Sequence, residues 1–336
     1  MAEAERRLRL PPVPKAARLA VQLAVSGGIL AFLLIRLDPA QVWDEISASN
    51  PAYVIGALAI LLASTCVMAW RWQILLAAKG IIEPLGWLTK LYFVGYAASQ
   101  VLPTSVGGDA VRILDHSRRR PGLRAEAAGA VLMERLLGVA GTVLLLLVGL
   151  VLVLGDPRAQ VIGPGEAILL TAAAVLLALL LFSRRVEGWL RRRLFPLGRR
   201  VGLERPVAAV YAAVHGYRDH PGPLGAALVL TFATQLARTA SIWLCCLAVG
   251  IHESVGAYVV FAALLSLVMV VPFTLNGLGV REAFFVGYFG RFGISNDTAL
   301  AAGLLFYAII LAESIPGGLI LLWHSLHGAV ARPRTG

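Results

Sequence analysis

Charge is what this sequence has least of: 15% of its 336 residues are Asp, Glu, Lys or Arg, against roughly 25% in an average soluble domain. With 58% hydrophobic residues and a mean hydropathy of +0.78, that shortage excludes a water-soluble globular fold. Lysine is nearly missing. Only three of the 30 cations are lysine, and the 27 arginines lie in blocks between apolar runs. They are not interleaved with aromatics on one face, so the net charge of +11 does not read as a nucleic-acid surface; membrane orientation and anionic headgroups account for it better. There are three cysteines, Cys66, Cys245 and Cys246, all inside apolar runs, which excludes a disulfide framework and offers no metal site.

Catalytic and cofactor signatures are equally scarce. The glycine turns have neither a P-loop lysine nor a preceding strand. His324 and His327 have no third ligand, and Ser314 has no elbow glycine before it. No cofactor and no metal are expected. No stretch shows the ten-residue alternation of a transmembrane barrel strand.

Long apolar runs are what the sequence has instead, and several reach the roughly 20 residues a helix needs to cross a bilayer. Six full spans are expected, at 18–37, 51–70, 125–154, 165–183, 221–249 and 299–323. The first follows the basic segment MAEAERRLRLPPVPKAAR and is too long for a comfortable signal-peptide core, so it is read as uncleaved. Two further apolar stretches, 85–102 and 254–271, each run into a proline and a glycine-containing turn: "LPTSVGGDAVR" and "VPFTLNGLGVRE".

The status of those two stretches follows from the positive-inside rule. Arg6, Arg7, Arg9, Lys15 and Arg18, then Arg71 and Lys79, then Arg112, Arg118, Arg119, Arg120 and Arg124 all favour the cytoplasm. So do the arginine-rich loop and the tail residues Arg332 and Arg334. Residues on both sides of 85–102 then share one face of the membrane, so that stretch enters and returns as a re-entrant helical hairpin. The same logic places 254–271 in a hairpin entering from the opposite face. Aligning Pro103 with Pro272 matches Ser105 to Thr274, Gly108 to Gly277, Val111 to Val280 and Arg112 to Arg281, at one fixed offset. The expected fold is therefore an all-α polytopic membrane protein of two inverted-topology halves, with six full spans and two re-entrant hairpins. The first repeat covers 18–154, an external loop 155–164, and the second repeat 165–323 with a cytoplasmic arginine-rich loop at 184–220. Residues 1–183 hold the first half plus the first span of the second, and 324–336 form a cytoplasmic tail.

Broken helices in a bilayer are tolerated where the freed backbone faces protein or a water-filled cavity, and paired breaks point to a substrate site near the midplane. The breaks are Pro103, Gly107 and Gly108 in the first hairpin and Pro272, Gly277 and Gly279 in the second. Arg112 and Arg281 follow one helical turn later, and an intramembrane guanidinium requires an acidic partner or an anionic ligand. Glu134 and Glu313, each in the span after its hairpin, are the expected partners. These pairs either lock hairpin to bundle or bind substrate, and the sequence leaves both open. Asp109, Arg135, Arg238, Asn276 and Glu282 complete the candidate set of intramembrane polar residues. Arg71, flanked by tryptophans in "WRWQILL", reads as an interfacial anchor. Lys90 reads as snorkelling to the inner surface. If the chain is an enzyme, Asp109, Asp115 or His116 is the expected base.

In order along the chain, "RWQILL", "LPTSVGGDAVR", "MERLLG" and "VPFTLNGLGVREA" resemble the lysylphosphatidylglycerol synthase transmembrane-region family, the flippase domain of the multiple peptide resistance factor. The resemblance covers nearly the whole chain. It maps onto Pro103, Gly107, Gly108, Asp109 and Arg112, onto Glu134 and Arg135, and onto Pro272, Gly277, Gly279, Arg281 and Glu282. It implies a bacterial inner-membrane protein, whose termini the positive-inside count places in the cytoplasm, that moves or handles a phospholipid or another phosphate-headed lipid, aminoacylated or plain. Multidomain members carry a soluble aminoacyl transferase domain after this region, whereas this sequence stops at Gly336; lysyl transfer is not expected of it. The expected partners are the lipid and the membrane, not nucleic acid, with a lipid-synthesising enzyme and a second copy of the chain as candidate protein partners. The rival readings are a membrane enzyme acting on a lipid-linked group, and an accessory protein that docks an enzyme through the arginine-rich loop.

Overall fold

The computed structural model describes residues 39–101, 107–159, 211–269 and 277–328, and a few positions between 161 and 172. The expected first span, most of the span at 165–183, most of the arginine-rich loop, Pro103, Pro272, Asn276 and the end of the tail lie outside the described residues.

Every regular element among the described residues is helical. In chain order they are α1 Pro39–Ser47, α2 Pro51–Ala77, α3 Leu85–Val101, α4 Gly107–Arg119, α5 Arg124–Leu152, α6 Pro221–Ala248, α7 Val255–Met269, α8 Val280–Phe289 and α9 Asn296–Gly328. α2, α5, α6 and the first 29 residues of α9 are long and apolar enough to cross a membrane, and they fall on four of the six expected spans. Local chemistry sets their starts. The Asn50 carboxamide accepts the Ala52 N–H at 3.0 Å and Pro51 occupies the first turn of α2, where its missing N–H costs nothing. Pro221 opens α6 in the same way.

Side-chain contacts sort the helix termini into two groups. At the basic end, Gln73 donates to the Glu83 carbonyl at 2.8 Å, Arg120 Nε donates to Glu83 Oε1 at 3.0 Å, and Tyr217 donates to the Leu75 carbonyl at 2.9 Å. Lys90 Nζ meets His324 Nε2 at 3.1 Å. Lys79 lies 4.3 Å over the Tyr217 ring, and this partial burial lowers its pKa against the pull of Asp219 and Glu126. At the opposite end, the Asn50 N–H donates to the Ala248 carbonyl at 3.0 Å and Thr298 donates to Glu45 at 3.1 Å. Arg291 there reaches the Pro157 carbonyl at 3.4 Å.

α3 and α4 both begin and end within this frame as an antiparallel pair. Trp87, near the start of α3, lies 5.7 Å from the His116 ring and under Arg119, near the end of α4. Gly95 and Ser99 meet Gly108 at the other end of the pair, where a Cβ on Gly108 would overlap the Gly95 carbonyl oxygen and Ser99 Oγ. Glycine at 108 is thus a requirement of close approach. The pair starts and finishes at the basic end. α7 and α8 repeat the arrangement from the opposite end: Tyr258 lies 5.9 Å from Phe289, Phe261 lies 4.6 Å from Phe285, and Met269 packs against Gly277. At about 1.5 Å per residue, the arms of 17, 13, 15 and 10 residues span about 15–25 Å, short of the ~30 Å hydrocarbon core.

Packing partners of the two antiparallel pairs correspond. α3 lies on α9 and α7 on α5, α5 lies on α6 and α9 on α2, and α2 and α6 pack on each other. Each hairpin sits in its own apolar core. Leu75, Leu88, Met133 and Tyr217 are central to the one at the basic end; Phe261, Phe285, Phe289 and Phe306 are central to the other.

Candidate functional site

Between these cores is a cavity of about 280 Å³. Its walls come from the middle of the long helices: Ser64 and Met68 of α2, Val131 to Gly138 of α5, Thr231 to Arg238 of α6, and Glu313 of α9, closed by Tyr92 to Ser99 of α3 and the start of α4. A polar chamber at mid-height is costly in a membrane protein unless it is used. It carries four arginines, 71, 112, 135 and 238, and three carboxylates, 109, 134 and 313, a formal excess of one positive charge.

Glu134 is the hub of one side. Its Oε1 accepts from Arg71 Nε at 3.3 Å, from Arg71 Nη2 at 3.2 Å and from the Tyr92 hydroxyl, while Oε2 accepts from Arg112 Nη2 at 2.7 Å. Arg71 Nη1 completes its set on Thr231 Oγ1 at 3.0 Å. The Arg112 guanidinium lies 3.9 Å over the Tyr92 ring and 4.6 Å over Trp72, a stacked cation–π arrangement that a planar guanidinium favours. The expected Arg112–Glu134 pair is therefore formed, but it is shared. Arg71 is not an interfacial anchor: it is 5% exposed, because α2 continues to Ala77 beyond the expected end of the span at 70, and this carries Arg71 into the bundle. Leu61, Ser64, Met68 and Arg71 line the cavity from one helical face, and that i, i+3, i+7, i+10 spacing was the signal in the sequence that could have found it.

Asp109 and Arg135 form a second pair, with Nη2 to Oδ2 at 2.6 Å, and the half-exposed Arg135 places it at the cavity rim. Asp109 also lies 3.5 Å from Arg112. On the far wall the polar groups are less occupied. Arg238 has its guanidinium 5.7 Å from the Phe306 ring and has no carboxylate in ion-pair range among the described residues. Gln235 donates to Thr142 at 2.7 Å. Glu313 accepts one hydrogen bond, from Thr65 Oγ1 at 2.7 Å.

The expected Arg281–Glu313 pair is not formed. Arg281 Nε donates to Glu282 Oε1 at 3.1 Å and its guanidinium lies 4.5 Å over Tyr307, outside the cavity lining. Glu282 Oε2 accepts the Gly279 N–H at 2.6 Å, capping α8. Gly277 and Gly279 have φ of 79° and 87°, the left-handed region that glycine enters without strain. The three alternative catalytic bases sit in different surroundings. Asp109 is held by two arginines, Asp115 pairs with Arg118 at 3.0 Å on the surface, and His116 is fully buried between Trp72 and Trp87, with Glu83 at 3.8 Å.

Four bilayer-length helices, two antiparallel pairs of shorter helices and a charged chamber between them define an integral membrane protein with an internal polar site. The chain belongs to the lysylphosphatidylglycerol synthase transmembrane-region family, whose pattern matches residues 19–317. Among curated proteins it is similar to the glycosyltransferase AglD of Haloferax volcanii, 26% identical over 92% of this chain. It is also similar to a UPF0104 membrane protein of Methanothermobacter thermautotrophicus, 20% identical over 84% of this chain and 88% of that protein. The chain spans only 54% of the length of AglD.

Proposed function

We propose that the protein moves a phosphate-headed lipid between the leaflets of the membrane, with the headgroup passing through the central cavity while the acyl chains stay in the bilayer. The observation that carries this reading is the cavity itself: it has one more guanidinium than carboxylate, and Arg238 faces it with no carboxylate in ion-pair range among the described residues. Arg238 is half-buried; an intramembrane charge outside an ion pair is expensive, and a headgroup phosphate offers the geometry that a guanidinium binds best. Arg112 contributes from the opposite wall, where its Nε–H has no acceptor among the described residues, while Glu134 holds it in place. Arg281 supports the second hairpin instead of the headgroup. Family membership and the paired hairpins support two inverted halves that rock to expose the site to either leaflet.

Exchange of fluorescent phosphatidylglycerol between leaflets of proteoliposomes tests the proposal. Arg238→Ala should slow protein-dependent exchange roughly 10- to 100-fold, the worth of one charge-assisted hydrogen bond of about 1.5–3 kcal/mol. Exchange at the wild-type rate in that variant removes Arg238 from the pathway, and altered lipid in place of exchanged lipid favours an enzyme.

The hairpin topology makes a separate prediction, best read with Cys66, the exposed native cysteine, replaced. A cysteine at Arg120 and one at Glu253 should react with a membrane-impermeant thiol reagent from opposite sides of the membrane, the first from the cytoplasm. Labelling of the cysteine at 120 from outside would mean that the first hairpin crosses.

A further inference from the structure

Glu313 is a buried carboxylate, 6% exposed, near the middle of the 33-residue α9, and it faces the cavity. Every other buried carboxylate of the chamber and its hairpins is held by a guanidinium: Glu134 by Arg71 and Arg112, Glu282 by Arg281. Glu313 is held by one neutral hydroxyl, Thr65. The groups that face it can be named from each element packed on α9. α2 presents Thr65, α6 presents Arg238 across the cavity and α3 presents Tyr96. α8 meets α9 further along, where Arg281 lies over Tyr307, and α1 meets it at Thr298 through Glu45. Arg238 is therefore the charged group within electrostatic reach of Glu313, and it is the same arginine to which a phosphate is assigned above.

Two anions cannot share that one cation at low dielectric without a penalty. A phosphate arriving at Arg238 competes with the Glu313 carboxylate for its field and repels it, and protonating Glu313 relieves both effects. We propose that Glu313 couples lipid movement to protons, taking up one proton from water as the headgroup phosphate engages Arg238 and returning it to water when the phosphate leaves on the other side. Lipid anion and proton move together, in the same direction, with no net charge transferred. Intramembrane carboxylates outside ion pairs serve as proton relays for this reason. The inference rests on the transport reading above and adds an energy source to it.

One proton per lipid fixes the expected magnitude. Each pH unit across the vesicle membrane should enrich fluorescent phosphatidylglycerol about tenfold in the leaflet facing the alkaline compartment, since a tenfold ratio is ~1.4 kcal/mol at 25 °C. Reversing the gradient should reverse the enrichment, and a pH dye trapped in wild-type vesicles should record proton uptake in step with the lipid. In Glu313→Gln the leaflet ratio should no longer follow the gradient. On binding phosphatidylglycerol, the wild-type infrared difference spectrum should gain a protonated-carboxyl C=O band that Glu313→Gln lacks. Lipid exchange that ignores the gradient and moves no protons would overturn the coupling and leave the transport reading standing, whereas the absence of any protein-dependent exchange would overturn both. A band that persists in Glu313→Gln would assign the proton to another group and overturn the role of Glu313.

Discussion

Replacing Glu134 with glutamine should destabilise the protein by about 3–5 kcal/mol, the cost of removing one member of a buried ion pair. It should appear as a lowered midpoint of thermal unfolding in detergent and as loss of the monodisperse species. The size follows from how many groups depend on this one carboxylate. Arg71 and Arg112 are 5% and 3% exposed, and each donates to a different oxygen or edge of Glu134, with Tyr92 as a third donor. Glutamine keeps the shape and one acceptor but leaves two guanidiniums facing each other without the charge that separates them. Arg112 retains Asp109 at 3.5 Å; Arg71 retains only the Thr231 hydroxyl. Adding Arg71→Met to Glu134→Gln should therefore recover part of the loss, with a coupling of at least about 1 kcal/mol between the two positions. A Glu134→Gln protein as stable as wild type would mean that solvent in the cavity, not Glu134, neutralises the arginines.

This cluster also shows how far the sequence could be read. The Arg112–Glu134 pair was legible because an intramembrane guanidinium demands a partner and "MERLLG" lies inside the next apolar run. Arg71 was not, because its flanking tryptophans look alike in sequence and behave differently in the fold: Trp70 is 48% exposed toward the surface and Trp72 is fully buried against Tyr92. The Arg281–Glu313 pairing failed for a related reason. It extended the logic of the first half to the second, but at the 169-residue offset that aligns the two arginines Glu134 falls on Gly303. Gly303 packs against the Glu282 backbone, so the carboxylate that holds the second arginine comes from the hairpin itself. Glu313 is then left over, and that surplus could not be seen until the true partners of Arg281 were known. The paired breaks were legible since proline and glycine interrupt helices for local reasons, whereas cross-bundle partners depend on helix rotation, which composition does not fix.

Gly317→Ala is the second change with a large expected effect, and its sign is what tests the packing. By helix propensity alone, alanine at an interior helical position should stabilise by about 1 kcal/mol over glycine. Position 317 should do the opposite, because a Cβ there would overlap the backbone carbonyl of Phe93 in α3. No side-chain rotation relieves a clash with backbone, so α3 and α9 must separate, at a cost toward the upper end of the 1–3 kcal/mol typical of overpacking. Pro316, inside α9, removes one helical N–H beside this contact. Separation would be felt at the cavity, since Tyr92 adjoins Phe93 on one helix and Glu313 lies one turn before Gly317 on the other. Gly318→Ala is the matched control: a Cβ at 318 meets nothing within 4 Å, so that variant should gain from propensity alone. The expected result is a thermal midpoint that falls for Gly317→Ala and holds or rises for Gly318→Ala, with lipid exchange impaired only in the first. Equal midpoints would mean that α3 does not approach α9 closely enough for its carbonyl to require a glycine.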